Sequence, residues 1–117
     1  MNDSSTARFL QGVFAMDGKG LDSPFLLHPA LSYTVPAGTA TQPVYFRGGN
    51  SSEEMICLTL VRDGTAVRYF PIAAKGATHV SLRVVEDLLS DTVLEVFAAA
   101  PTGVSAWVVV DVGLVEI

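Results

Sequence analysis

The sequence has one cysteine, Cys57, among its 117 residues, so no disulfide can form within the chain. Charged side chains are scarce at 16%, and 12 acidic residues outnumber 7 basic ones, which gives a formal net charge of −5. A negative chain has the wrong sign for binding a phosphate backbone, so nucleic acid is excluded as an expected partner. With 50% hydrophobic residues, the chain can still build a core without disulfides or metal ions.

Long apolar runs are also missing. A membrane helix needs about 20 consecutive apolar residues, and the longest candidate here, 104–117, contains four interruptions: Ser105, Asp111, Gly113 and Glu116. The first residues have neither the basic region nor the apolar stretch of a secretory leader. These absences predict a cytoplasmic protein without a membrane partner. We expect a single domain over residues 1–117, with 1–7 frayed.

Turn residues recur at short intervals and separate segments rich in Val, Leu, Phe, Tyr and Thr. This spacing predicts an all-β fold, an antiparallel β-sandwich of the jelly-roll or immunoglobulin-like kind with about seven or eight strands. The clearest signal is the pair of segments 55–62 and 65–70 on either side of Asp63-Gly64. Because Asp-Gly suits the two positive-φ positions of a type I′ turn, the sequence predicts a β-hairpin there.

Alternation of apolar and polar residues predicts further strands. In one of them, Val80, Leu82 and Val84 share one face, and the polar residues 79, 81 and 83 share the other. The other predicted strands lie at 31–35, 44–47, 92–99 and 105–116, with a polar loop at 48–52 and a crossover of one helical turn at 86–91. The segment 8–16 has two interpretations, a strand or an apolar arm that packs on a neighbour.

The last predicted strand is apolar on both sides. Its inward positions carry small and branched side chains, and its opposite side carries Trp107, Val109, Val115 and Ile117 with Asp111 as the only charge. In a two-sheet sandwich one face of each strand points at the core, so a second surface should cover the other face. We therefore predict that Val109, Val115 and Ile117 form an interface.

Catalytic and metal-binding motifs are missing. Cys57 lies in a hydrophobic strand in the middle of the chain. A type I copper site has its cysteine and second histidine close together near the C-terminus, so Cys57 is predicted to be a buried, inert thiol rather than a copper ligand. No zinc-ligand spacing, nucleophile elbow or phosphate loop is present. The sequence predicts no catalytic residue, no metal and no cofactor. One enzymatic alternative stays open, in which His79 and Glu86 meet between two subunits.

A set of polar and aromatic side chains on predicted strands is the candidate site for a ligand or partner: Arg47, Arg68, Tyr69, His79, Arg83 and Trp107. If Arg68, His79 and Arg83 share one sheet face, they form a basic patch suited to a carboxylate ligand or an acidic partner. The alternative is that these cations pair across strands with glutamates. Tyr45 and Trp107 have rings that can stack on a sugar.

Two functions follow from these features. The first is a non-catalytic interaction protein, an oligomeric or accessory subunit that buries its apolar strand against a second copy or another protein. The alternative is a module that binds a small ligand or carbohydrate. Trp107 discriminates between them, because a ligand platform needs an exposed ring and an interface needs a buried one.

Overall fold

Within residues 5–117, which the computed structural model describes, the chain forms nine strands and one turn of 3₁₀ helix. The elements are β1 (Thr6–Asp17), β2 (Phe25–Leu26), the 3₁₀ turn (Pro29–Leu31), β3 (Tyr33–Thr34), β4 (Thr41–Asn50), β5 (Ile56–Arg62), β6 (Thr65–Ile72), β7 (Ala77–Ser81), β8 (Val93–Ala99) and β9 (Ser105–Glu116). Two antiparallel sheets pack as a sandwich, which confirms the predicted fold class. The strand number exceeds the prediction because the two-residue strand β2 was not predicted from the sequence.

One sheet, here called sheet A, has the strand order β1-β9-β4-β7. The other, sheet B, has the order β2-β8-β5-β6, with β3 also paired to β8. β1 pairs with β9 along its whole length, from Thr6 opposite Glu116 to Asp17 opposite Ser105. The segment 8–16 is therefore a strand of its own sheet rather than an arm. Of the residues predicted to fray, 1–4 lie outside the described residues, and 6–7 already belong to β1.

The predicted hairpin is present between β5 and β6. Its turn residues Asp63 and Gly64 have φ values of 49° and 81°. Both values lie in the left-handed region that a type I′ turn requires, and aspartate tolerates that region better than most residues with a side chain. The predicted turn is therefore confirmed, and a bulge between Leu60 and Val61 shifts the register of the two strands beyond it.

The core lies between the two sheets, and β8 and β9 contribute alternate side chains to it as predicted. The inward residues are Leu94, Val96, Ala98, Ala106, Val108, Val110, Val112 and Leu114, all buried. At the centre, Phe46 of sheet A stacks on Phe70 of sheet B with ring centroids 3.9 Å apart and planes 4° from parallel. This ring pair joins the two sheets.

Four local predictions were wrong. The polar loop predicted at 48–52 starts only after residue 50, because β4 continues through Asn50 and pairs there with β9. Val84 is 81% exposed because β7 ends at Ser81. The segment 31–35 follows a proline-initiated 3₁₀ turn and keeps only β3 as strand. The crossover 86–91 has no helical turn; Leu88 instead exchanges two backbone hydrogen bonds with Thr41, of 2.7 and 2.8 Å. In each case a contact with another part of the fold, or the end of a strand, outweighs the local sequence pattern.

A buried asparagine at the end of β4 joins the two sheets. Asn50 Nδ2 donates to the carbonyls of Glu54, Ala73 and Ile72 at 2.8, 3.2 and 3.3 Å, and its Oδ1 accepts from the Ser52 amide at 2.9 Å. We expect Asn50→Ala to lower the free energy of unfolding by about 1–3 kcal/mol, because buried polar groups lose their partners. Asn50→Asp should cost more, since a carboxylate oxygen would face the three carbonyls. Urea unfolding measures both, and equal stability of wild type and Asn50→Asp would contradict this assignment.

A second polar link joins the sheets near the end of β9. Tyr33 of β3 donates its hydroxyl to Glu116 Oε2 at 2.5 Å and shares a 2.8 Å hydrogen bond with the Thr41 hydroxyl. Arg8 Nε lies 3.1 Å from the same Glu116 oxygen. The hydrogen bond from Tyr33, followed by that from Arg8, lowers the pKa of Glu116 below its ordinary value. The ionised form is thus the one that the fold stabilises.

This link predicts a pH dependence of stability. A carboxyl group with a lowered pKa in the folded state contributes stability above its ordinary pKa of about 4.3, and the contribution is lost as the pH falls through the lowered value. Glu116→Gln should therefore lower stability at neutral pH and flatten the acid decline seen in urea unfolding. Glu86→Gln, the same change at an exposed carboxylate, is the control. An acid decline of unchanged steepness in Glu116→Gln would rule out this role.

Candidate functional site

The candidate site lies on the face of sheet A that points away from the core, here called the outer face. Cross-strand register places its side chains in rows. One row is Gln11, Asp111, Arg47 and His79, and the next is Val13, Val109, Gly49 and Ala77. The outer face therefore has a polar row beside an apolar row.

Large apolar side chains on the outer face are exposed. The exposed fractions are 59% for Trp107, 55% for Phe9, 60% for Val13 and 50% for Val109. The prediction that β9 is apolar on both sides is met. Its second side stays exposed at Trp107 and Val109, whereas the Tyr45 ring of β4 covers Gly113. Ile117 is likewise 54% exposed, whereas Val115 is half-buried. That these residues form an interface stays a prediction.

Tyr45 organises the polar row. Its hydroxyl donates to Asp111 Oδ1 at 3.0 Å. The guanidinium carbon of Arg47 lies 5.1 Å from the centre of the Tyr45 ring, and the His79 ring meets it edge-on at 5.9 Å. Burial, and then the hydrogen bond to Asp111, raises the pKa of Tyr45. The phenol therefore stays protonated and keeps donating to the carboxylate.

Gly113 provides the space that the Tyr45 ring occupies. The two residues are opposite one another in the β4–β9 pair, and a Cβ added at Gly113 would lie 2.1 Å from Tyr45 Cε2. We expect Gly113→Ala to push the ring off the sheet and break its bond to Asp111, at a cost of about 1–3 kcal/mol in unfolding free energy. Titration of the Tyr45 phenol, followed by ultraviolet absorbance, would then move toward that of a free tyrosine. Gly64→Ala is unsuitable as a control because of its positive φ, whereas Ala77→Ser adds an atom elsewhere on the face. An unchanged phenol titration in Gly113→Ala would contradict this packing.

Two hollows flank the exposed part of β9. The larger, about 510 Å³, is lined by Arg47, Gly48, Gly49, Ala77, Thr78, His79 and Val109. The smaller includes Trp107, Ser51, Ser105 and Asp17 in its lining. There the Ser105 hydroxyl donates to Asp17 Oδ1 at 2.6 Å, and the Trp107 amide donates to Ser51 Oγ at 2.8 Å. Val109 thus lines the larger hollow, and Trp107, the preceding outward residue of β9, lines the smaller one.

The structure brings together three of the predicted site residues: Arg47, His79 and Trp107 all lie on the outer face. Arg68 and Tyr69 belong to β6 of sheet B, and Arg83 follows the end of β7. The three cations Arg68, His79 and Arg83 therefore do not share one sheet face, and the basic patch considered from sequence does not form. Strand order, which separates β6 from β7 into different sheets, is the reason.

The alternative of cross-strand ion pairing does not hold for the arginines of the candidate site. Within residues 5–117 the ion pairs are Arg8 with Glu116 and Lys75 with Glu53. Sequence reasoning also missed that Asp111 and Gly113 belong to the site. A glycine inside a strand is a signal for a close approach of another group, but the sequence does not say which group approaches.

The described residues gather no three His, Cys, Asp or Glu side chains in one place. Cys57 is half-buried, rather than buried as predicted. The His28 ring packs on Phe14 with centroids 4.8 Å apart, and its Nδ1 accepts from the Ala30 amide at 3.0 Å. Throughout 5–117, moreover, no helix has the length and apolar character needed to cross a membrane.

No protein-family model and no curated protein matches the sequence. Among solved structures, the fold is similar to the CBM36-1 domain of a multidomain xylanase from the hindgut metagenome of Trinervitermes trinervoides. The TM-score is 0.54 at 12% sequence identity, with 94% of this chain and 96% of the other covered. At this identity the similarity establishes a shared β-sandwich fold.

Proposed function

We propose that the protein binds a carbohydrate on the outer face of sheet A and does not transform it. The observation that carries the proposal is that the exposed Trp107 ring shares the outer face with a row of polar side chains, from which the row of Val109 separates it along β9. A sugar ring has an apolar face of C–H groups and a rim of hydroxyls. An aromatic ring with adjacent hydrogen-bonding groups suits both parts of such a ligand.

The polar groups of the outer face are placed to bind hydroxyls. Asp111 uses Oδ1 for Tyr45, which leaves Oδ2 to accept from a sugar hydroxyl. Gln11 is exposed on the neighbouring strand and offers an amide. From Ser105 to Asp111 the face extends about 20 Å along β9, which suits an extended oligosaccharide better than a single sugar.

The structural comparison supports the same proposal. The similar domain carries the designation of a carbohydrate-binding module and belongs to a xylanase. Such a module is non-catalytic, in keeping with a site that has a platform and hydrogen-bonding groups but no nucleophile beside a base. Xylo-oligosaccharides are therefore the first neutral probe to use.

Intrinsic fluorescence tests the proposal directly, since Trp107 is the only tryptophan in the sequence. We expect the free protein to be readily quenched by acrylamide, and xylohexaose or another bound oligosaccharide to protect the ring. Calorimetry on the same ligands gives the affinity. Neutral and acidic oligosaccharides that all leave both fluorescence and heat unchanged would contradict carbohydrate binding.

The opposite sheet provides the matched test of location. Tyr69 is 66% exposed and lies on sheet B, beside a hollow that also includes Phe97. We expect Tyr69→Ala to bind the oligosaccharide as the wild type does. If Tyr69→Ala loses binding and a Trp107 variant does not, the site lies on sheet B and the assignment to the outer face is wrong.

A second candidate function is that of an oligomeric subunit, which the exposed side chains Phe9, Val13 and Val109 favour. In this case the outer face would pack on a second copy of the chain, because apolar surface of this extent is a liability on a monomer. Sedimentation equilibrium should then detect a dimer that Val13→Asp dissociates. A monomer at every concentration would exclude this candidate function. The proposal of carbohydrate binding would still stand.

A further inference from the structure

Arg47 is an exposed cation on the outer face. It forms no ion pair with any residue in 5–117, although Asp111 is directly opposite it in the β4–β9 pair. Opposite charges in such positions ordinarily pair. Here the Tyr45 hydroxyl donates to Asp111 Oδ1 at 3.0 Å, and the guanidinium carbon of Arg47 lies 5.1 Å from the centre of the Tyr45 ring. The donors of the guanidinium therefore remain available to a ligand.

The hollow next to Arg47 has no acidic lining. Its seven lining residues include Arg47 and His79 but no carboxylate, and others, such as Gly49, Ala77 and Val109, are small or apolar. An anion that enters this hollow therefore meets a cation and a histidine without competition from an acid of the lining. This arrangement is unusual for a chain with a net charge of −5.

We propose that this hollow binds the carboxylate of a uronic-acid residue, so that the ligand of the outer face is an acidic glycan. The inference rests on the carbohydrate binding proposed above and names its chemical class. The planar guanidinium matches a carboxylate through two parallel hydrogen bonds. The small and apolar lining residues of the hollow accommodate the C–H face of the same sugar ring, and Trp107 contacts the glycan farther along β9.

The test compares matched ligands that differ only in the carboxylate. One pair is oligogalacturonate and its fully methyl-esterified form, and the other is a xylo-oligosaccharide with a glucuronic acid side group and its methyl ester. Calorimetry on the wild type should give an affinity about tenfold or more higher for the acidic member of at least one pair. Added salt should reduce this preference, because the site is exposed and its charges are screened.

Three variants locate the preference. Arg47→Gln should bind the acidic and neutral members equally, and Arg47→Lys should recover part of the difference, since it keeps the charge but not the planar fork. Arg62→Gln removes the same charge from sheet B and should retain the full preference. Urea unfolding of each variant checks that the fold is intact.

The outcomes separate this inference from the proposed function. If the wild type binds acidic and neutral members equally, or if folded Arg47→Gln keeps the preference, the acidic-glycan assignment is wrong while carbohydrate binding stands. If the wild type binds none of the four ligands, the proposed function fails and the inference fails with it.

Discussion

Trp107→Ala is expected to weaken binding of the oligosaccharide by about 30-fold or more. Its ring is 59% exposed on the outer face and lines the smaller hollow, so we expect an oligosaccharide bound along β9 to pack on it. A large aromatic side chain at the centre of a binding surface commonly contributes about 2 kcal/mol or more, which corresponds to that factor. Because the substitution removes the only tryptophan, the measurement requires calorimetry rather than fluorescence.

The same variant should fold normally. The Trp107 amide donates to Ser51 Oγ through the backbone, and alanine retains this bond. An exposed ring outside the core contributes little to stability, so the free energy of unfolding should change by about 0.5 kcal/mol or less. A stable variant with full affinity would show that the ring is not a platform. A strongly destabilised one would show that it packs within the fold.

Phe46→Ala is expected to lower the free energy of unfolding by about 3–5 kcal/mol. Phe46 is fully buried and stacks on Phe70 from the opposite sheet. Its removal leaves a cavity at the centre of the sandwich and deletes the aromatic contact between the sheets. Because small domains have total stabilities of about 5–15 kcal/mol, the variant should be partly unfolded or close to it under mild conditions.

Urea unfolding with a matched control tests this expectation. Phe9→Ala removes the same side chain from the same sheet, but from a position that is 55% exposed, and should cost much less. A double-mutant cycle with Phe70→Ala isolates the ring–ring contribution, expected to be about 0.5–1.5 kcal/mol. Equal losses for Phe46→Ala and Phe9→Ala would mean that the core does not lie where the structure places it.

The sequence predicted the parts of the fold that depend on neighbouring residues. The alternation in 105–116 gave β9 with its correct inward side, and Asp63-Gly64 gave the hairpin. Val84 was misassigned because a pattern of period two does not indicate where a strand stops. β7 ends at Ser81, where the next amide, that of Leu82, donates to the Val44 carbonyl at 2.8 Å.

The candidate site depends on strand order, which no local pattern contains. Arg47 and His79 are neighbours because β4 pairs with β7, and Asp111 joins them because β9 lies on the other side of β4. Arg68 is as polar as Arg47 in the sequence and yet belongs to the other sheet. The residue types of the site could therefore be predicted from the sequence. Which of these residues lie together on one face could not.

The position of β9 also has a consequence for how the protein folds. β1 and β4 lie on either side of β9 in sheet A, and no other described strand pairs with β1. A nascent chain that has emerged from the ribosome only as far as β8 thus carries two strands with open backbone edges, a state that invites association with other chains. Sheet A is complete only when β9 inserts between β1 and β4. Because this step pairs segments that are distant in the sequence, the formation of sheet A should be slow.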